Sequence, residues 1–172
     1  IFPCCGLSSI INWEQINRAK PDIKIIVEGL SKNISIFIGN GNAVHQEKFN
    51  EFVEFCKDEL HMSDKEEHAL RLIYYGDGTT TGKGKLENRL QSSSLIKKAY
   101  PSEIRIAQDF FNKNKRALAK RFLVTGKYLE QPAADYIFHG DVNKGICLPY
   151  DIILDYIETE LSAEDLLLLM AA

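Results

Sequence analysis

The chain has 172 residues, of which 45% are apolar, and a formal net charge of -3. This is enough sequence for one domain with its own core, and no stretch approaches the ~18 consecutive apolar residues of a membrane span. The four cysteines, Cys4, Cys5, Cys56 and Cys147, show no CxxC or His/Cys spacing, which argues against a zinc module; nor do they suit a disulfide framework, so a reducing, cytoplasmic setting is expected.

The chain begins with Ile1 and not Met, as expected of a product that is processed or excised from something longer. Ser8 or Ser9 is placed to cap a helix over residues 7–19, carrying Ile10, Ile11, Trp13 and Ile16 and ended by Pro21. Residues 22–29 and 33–39 read as two strands joined by Leu30, Ser31 and Lys32. Helical spacing returns over 43–60, where Phe49, Phe52, Val53, Cys56 and Leu60 share a stripe and Glu47, Glu51, Glu54 and Asp58 lie off it. Ser63-Asp64-Lys65-Glu66 is a capping box opening a short helix before a strand at 71–75.

A Gly/Thr/Lys loop follows. Residues 85–99 are expected to be helical, and after Pro101 and Ser102 the longest helix should run over 103–124, stopped by Gly126. A short strand at 136–139, a helix at 149–161 with Pro149 in its first turn, and a Leu-rich end at 163–170 suited to docking or association complete the chain. The predicted fold class is α/β or α+β, with a small central sheet from residues 22–39, 70–76 and 136–139 covered by amphipathic helices in a single domain, 1–172.

The stretch 70–85, an apolar segment running into Gly76-Asp77-Gly78-Thr79-Thr80-Thr81-Gly82-Lys83-Gly84-Lys85, is the one around which the functional reading turns. Its glycines permit close approach of backbone amides to an anion, its threonines add hydroxyls, and Lys83 and Lys85 add charge. It is not a Walker motif, because Asp77 stands where the first glycine belongs and Gly84 follows the lysine. Three Gly-Asp or Gly-Asn turns, after Ile38, Tyr75 and His139, look like strand ends that would deliver their polar residues to one crevice.

Charge is unevenly spread. Residues 83–127 carry a net +9, and residues 128–172 a net -8. The two blocks either neutralise each other or leave the basic one to meet an external polyanion. On the expected long helix Ile104, Ala107, Phe111, Leu118 and Phe122 form one stripe, while Arg105, Lys113, Arg116 and Lys120 fall opposite. Such a cationic face after a Gly/Thr/Lys loop suits a phosphate backbone, so the leading expectation is a nucleic-acid-binding protein, for DNA or RNA, with Lys83, Lys85, Arg105, Lys113, Arg116 and Lys120 as contacts.

If the bound strand is also cleaved, Glu28, Asp77 and Asp141 are the candidate catalytic acids, with Asp77 and Asp141 holding Mg²⁺. Ile25-Ile26-Val27-Glu28-Gly29 resembles the first acidic motif of Toprim nucleases; the Asp-x-Asp that should follow is reduced here to the single acid of Asp77-Gly78-Thr79. A second class is a protein-interaction or assembly role, homo-oligomeric or with a protein partner, in which the basic segment meets an acidic surface. A third is a papain-like cysteine hydrolase, with Cys4 or Cys5 as nucleophile, His139 as base and Asp141 or Asn143 orienting it.

Overall fold

The computed structural model describes residues 21–38, 47–126, 133–141 and 143–162, and residues 11–15 by their backbone alone. In chain order the elements are β1 (Ile11–Gln15), β2 (Ile23–Val27), β3 (Leu30–Ile38), α1 (Phe49–Asp58), α2 (Asp64–Tyr75), α3 (Ser93–Ala99), α4 (Pro101–Lys113), α5 (Lys115–Lys120), β4 (Tyr136–Gly140), β5 (Gly145–Pro149) and α6 (Tyr150–Glu160). Helices and a mixed sheet make this an α+β fold. The chain divides into two compact units: the sheet with α5 and α6, and a helical unit of residues 47–114 carried between β3 and β4. Among the described residues no helix is long and apolar enough to cross a membrane.

The sheet unit has strand order β1-β2-β3-β4-β5 and is antiparallel except for the β3–β4 pair. Its first strand replaces the helix expected over 7–19: Ile11 pairs with Val27 and Gln15 with Ile23, in a segment whose β-branched and aromatic residues fit a ladder as well as a helix. Residues 7–10 and 16–19 lie outside the described residues. The β2–β3 hairpin forms as expected, but its turn is Glu28-Gly29, both at positive φ (51° and 80°), and Leu30 to Lys32 belong to β3. Two consecutive positive φ values match the twist of a two-residue hairpin, and the register Val27↔Leu30 follows.

Phe37 of β3, Val124, Ala134 and Ile137 of β4 form the buried cluster of this unit, with Leu123, Tyr150 and Ile153 packed against it. Asp22 supports β3 by accepting the Ile36 amide (2.7 Å), and Asp135 accepts that of Asn33 (2.8 Å). Strand β5 was not anticipated; its three central residues, Ile146, Cys147 and Leu148, are too short a run to announce a strand without the β4 partner.

In the helical unit, Phe52, Val53 and Cys56 of α1 are buried as the stripe predicts, beside Ala69 and Leu70 of α2 and Ala107, Phe110 and Phe111 of α4. The capping box is present: Ser63 Oγ accepts from the Glu66 amide, and Glu66 accepts from the Ser63 amide at 2.7 Å. The helix it starts does not stop short. It absorbs the expected strand at 71–75 and ends where Gly76, left-handed at φ 60°, donates its amide to Leu72 O at 2.9 Å.

The expected 85–99 helix is reduced to a 3-10 turn at Leu86–Asn88 and the seven-residue α3, capped by Ser92 through the Leu95 amide. The expected long helix breaks at Asn114 (φ -113°, ψ 15°), whose side-chain amide donates to Phe110 O at 2.9 Å and competes with the helical ladder. Beyond α5 the chain widens into a π-turn over Arg121–Thr125, closed by Gly126 N to Arg121 O at 2.8 Å.

The capping geometry yields a first prediction. Ser63→Ala should destabilise by about 1 kcal/mol, the usual worth of a helix cap, seen as a lower urea midpoint by circular dichroism with an unchanged slope. An unmoved midpoint would show that α2 does not depend on its cap.

Candidate phosphate-binding loop and polar cleft

Asp77 organises the loop. Its Oδ1 accepts the Thr79 amide (2.9 Å) and hydroxyl (2.8 Å), and its Oδ2 accepts the Gly84 amide (2.9 Å), drawing the two ends of the loop onto one carboxylate. Burial by itself would push this carboxyl up; the hydrogen bonds from Thr79 and Gly84 outweigh it and hold the group below its ordinary range. Gly82 is required at φ 70°, because a Cβ there would stand 2.5 Å from the Tyr75 ring, and its amide is taken by Thr79 Oγ1 at 3.1 Å. Three amides expected to face an anion are therefore spent inside the loop. What the loop offers outward is Lys83 and Lys85, both exposed, with Lys85 Nζ 3.6 Å from Glu87.

The residues missed by reading 71–75 as a strand lie on α2. Asp64, Glu67, His68, Arg71 and Tyr75 are spaced i, i+3, i+4, i+7 and i+11, so one helix continued from the capping box brings them onto a single polar stripe. With Asn50 of α1 and Thr80 and Thr81 of the loop they line a cleft of about 450 Å³. Glu67 is its electrostatic hinge, accepting Lys57 Nζ at 2.7 Å and Arg71 Nε at 2.8 Å. Those two bonds hold the Glu67 carboxyl low and, from the other side, raise Lys57. Arg71 also donates to Asn50 Oδ1 at 3.0 Å and lies 5.8 Å from the centre of the Phe49 ring. Phe49 in turn is stacked on Tyr74 with centroids 3.7 Å apart, leaving Tyr74 52% exposed.

Arg105 and Lys113 are exposed on α4 in the helical unit; Arg116 and Lys120 lie on α5 in the sheet unit. Arg116 is already engaged, its guanidinium donating to Asp155 and, at 3.1 Å, to Glu158 of α6. Lys115 caps the same helix through Leu161 O at 2.6 Å.

Glu28 sits in the exposed β2–β3 turn. Asp141 closes the β4–β5 turn, where the amides of Asn143 (2.7 Å) and Lys144 (2.9 Å) hold its carboxyl below the ordinary range. Glu28 precedes β3 and Asp141 follows the residue paired with Ile38, so the two stand at opposite ends of that strand, roughly 30 Å apart at ~3.3 Å per residue. Asp77 belongs to the other unit, and among the described residues no group of three or more His, Cys, Asp or Glu is gathered as a metal shell.

Of the thiol reading, Cys4 and Cys5 lie outside the described residues. Burial pushes the Cys147 thiol up, away from a reactive thiolate. Comparison with protein-family models, with curated proteins and with solved structures found no match.

The Asp77 clasp has a pH signature. A carboxyl lower in the folded state than its ordinary ~3.9 adds stability that is complete above that value and is lost as pH falls through the folded one. Asp77→Asn should therefore cost stability at neutral pH, and the difference from the parent should shrink on acidification below pH ~4; a pH-independent difference in urea midpoint would contradict the clasp.

Proposed function

We propose that the protein binds nucleic acid, DNA or RNA, through phosphate contacts made by the helical unit. The observation carrying this reading is the cationic surface that follows the Asp77 clasp. Residues 78–114 hold seven Lys/Arg against three Asp/Glu, and Lys83, Lys98, Arg105 and Lys113 are exposed with no ion pair to any described residue. Exposed cations without protein partners are free to release counterions from a phosphate backbone, whereas Arg116, bound to Asp155 and Glu158, is not. The reading is one of binding without cleavage, because Glu28 and Asp141 stand apart along β3 and both oxygens of Asp77 accept bonds within its own loop.

A second reading, a protein-interaction or assembly role in which the basic segment meets an acidic surface, would rest on the same exposed cations and not on Arg116, whose acids are its own chain's. It requires a mass that grows with concentration and falls at high salt.

Fluorescence anisotropy with labelled DNA and RNA across a salt series, with and without Mg²⁺, tests the first reading. Each phosphate neutralised contributes about -0.9 to the log–log salt slope for duplex DNA, so four cations give about -3 to -4, and Arg105→Glu with Lys113→Glu should flatten it by about 2. No binding at low salt, or a slope indifferent to those two changes, would end the nucleic-acid reading.

A further inference from the structure

We infer that the cleft beside α2 is a receptor for one unpaired nucleobase, making the protein a binder of single strands in preference to duplexes; the inference rests on the phosphate-binding reading above. Most of the charge in the cleft is already committed. Both carboxylate oxygens of Glu67 are taken by Lys57 and Arg71, and Arg71 spends its Nε on Glu67 and one terminal nitrogen on Asn50. The cations are thus neutralised where they stand, and a phosphate entering the cleft would meet Asp64 as well.

What remains is a mixed set of uncharged donors and acceptors with one carboxylate. The hydroxyls of Thr80 and Thr81 and the side-chain NH2 of Asn50, whose Oδ1 is taken by Arg71, have no hydrogen-bond partner among the described residues, and Asp64, an acceptor, has its nearest cation, Lys57, at 4.0 Å. A planar, uncharged ring edged with donors and acceptors answers that set, and a volume of about 450 Å³ holds one. An acceptor carboxylate in the lining favours bases that carry an exocyclic amine, such as cytosine and adenine, over thymine or uracil.

Two neighbouring features point to the same ligand. Tyr74 offers a half-exposed ring fixed by stacking on Phe49, and base–aromatic stacking is the ordinary way an unpaired strand is held. Thr81 is two residues before Lys83, at most ~7 Å of extended chain, so a base in the cleft brings its own phosphate within reach of that lysine. In a duplex the Watson–Crick edges are paired and the ring faces stacked, so no base is free to enter the cleft.

The test compares labelled oligo(dC), oligo(dT) and a blunt duplex by anisotropy across a salt series, with affinities compared at its lowest salt. The unaltered protein should bind oligo(dC) about ten-fold more tightly than the duplex, with oligo(dT) between. Thr80→Val with Asn50→Ala should bring the ratio of oligo(dC) to duplex affinity to about one while leaving the salt slope as it was, since no charge is removed. Tyr74→Leu, which keeps an apolar contact on Phe49, should lower oligo(dC) affinity roughly ten-fold and serves if the double variant fails to fold. Equal affinity for single strand and duplex, or variants that leave the ratio unmoved, would overturn the inference and leave the phosphate reading standing. Absence of binding to all three probes would overturn the inference, and the same result with RNA probes would overturn the phosphate reading as well.

Discussion

The carboxylate of Asp77 is the constraint on which the candidate site depends. It is 8% exposed, and a charge that deep is tolerated because three donors, two from Thr79 and one from Gly84, converge on it. Those bonds tie together positions seven residues apart, which turns a Gly-rich connection into a fixed wall. Thr80 and Thr81 then face the cleft, and Lys83 leaves on the exposed side. The glycines are needed for packing as well as for freedom: the space a Gly82 Cβ would fill is already held by the Tyr75 ring. The loop is therefore a shaped platform, and its amides serve its own structure first.

Electrostatics in the two units follow different patterns. In the sheet unit, α6 is acidic and draws in Lys115 and Arg116, so part of the basic segment is spent on ordinary helix pairing and C-terminal capping. In the helical unit, the acids concentrate on α1 and α2 and are partly consumed by Lys57 and Arg71, while the loop and α3 keep a surplus of cations and α4 is balanced. A single net +9 over residues 83–127 conceals this division. Position in the fold decides which of those charges can act outward.

The β2–β3 hairpin, the α1 stripe, the Ser63 capping box and α6 were legible because each is announced by local chemistry: alternation, 3.6-residue spacing, reciprocal cap bonds, a proline in the first turn. Leu70 to Tyr75 was not, since a short run of Leu, Ile and Tyr carries no period of its own and reads equally as strand or helix. The cap upstream and Gly76 downstream decide it, and reading them as one helix would have shown the 64, 67, 68, 71, 75 stripe. Residues 11–15 fail for the opposite reason. Their helical spacing is real, but pairing with β2 overrides it. The break at Asn114 depends on one side-chain amide reaching back one turn, which apolar periodicity does not register.

The parallel contact between β3 and β4 joins residues separated by the whole helical unit, for Ile34 lies beside Tyr136 and Ile38 beside Gly140. Loop closure grows only logarithmically with length, each doubling costing about 0.6 kcal/mol, so the finished sheet is barely weakened by what it carries. The cost is in time. During synthesis the β1–β3 meander emerges complete, yet its β3 edge has no neighbour until roughly 100 further residues have been made, about 5–20 s at cellular rates. For that interval an unpaired strand edge stands open to other chains, and prompt folding of the helical unit is what shortens the search that closes it.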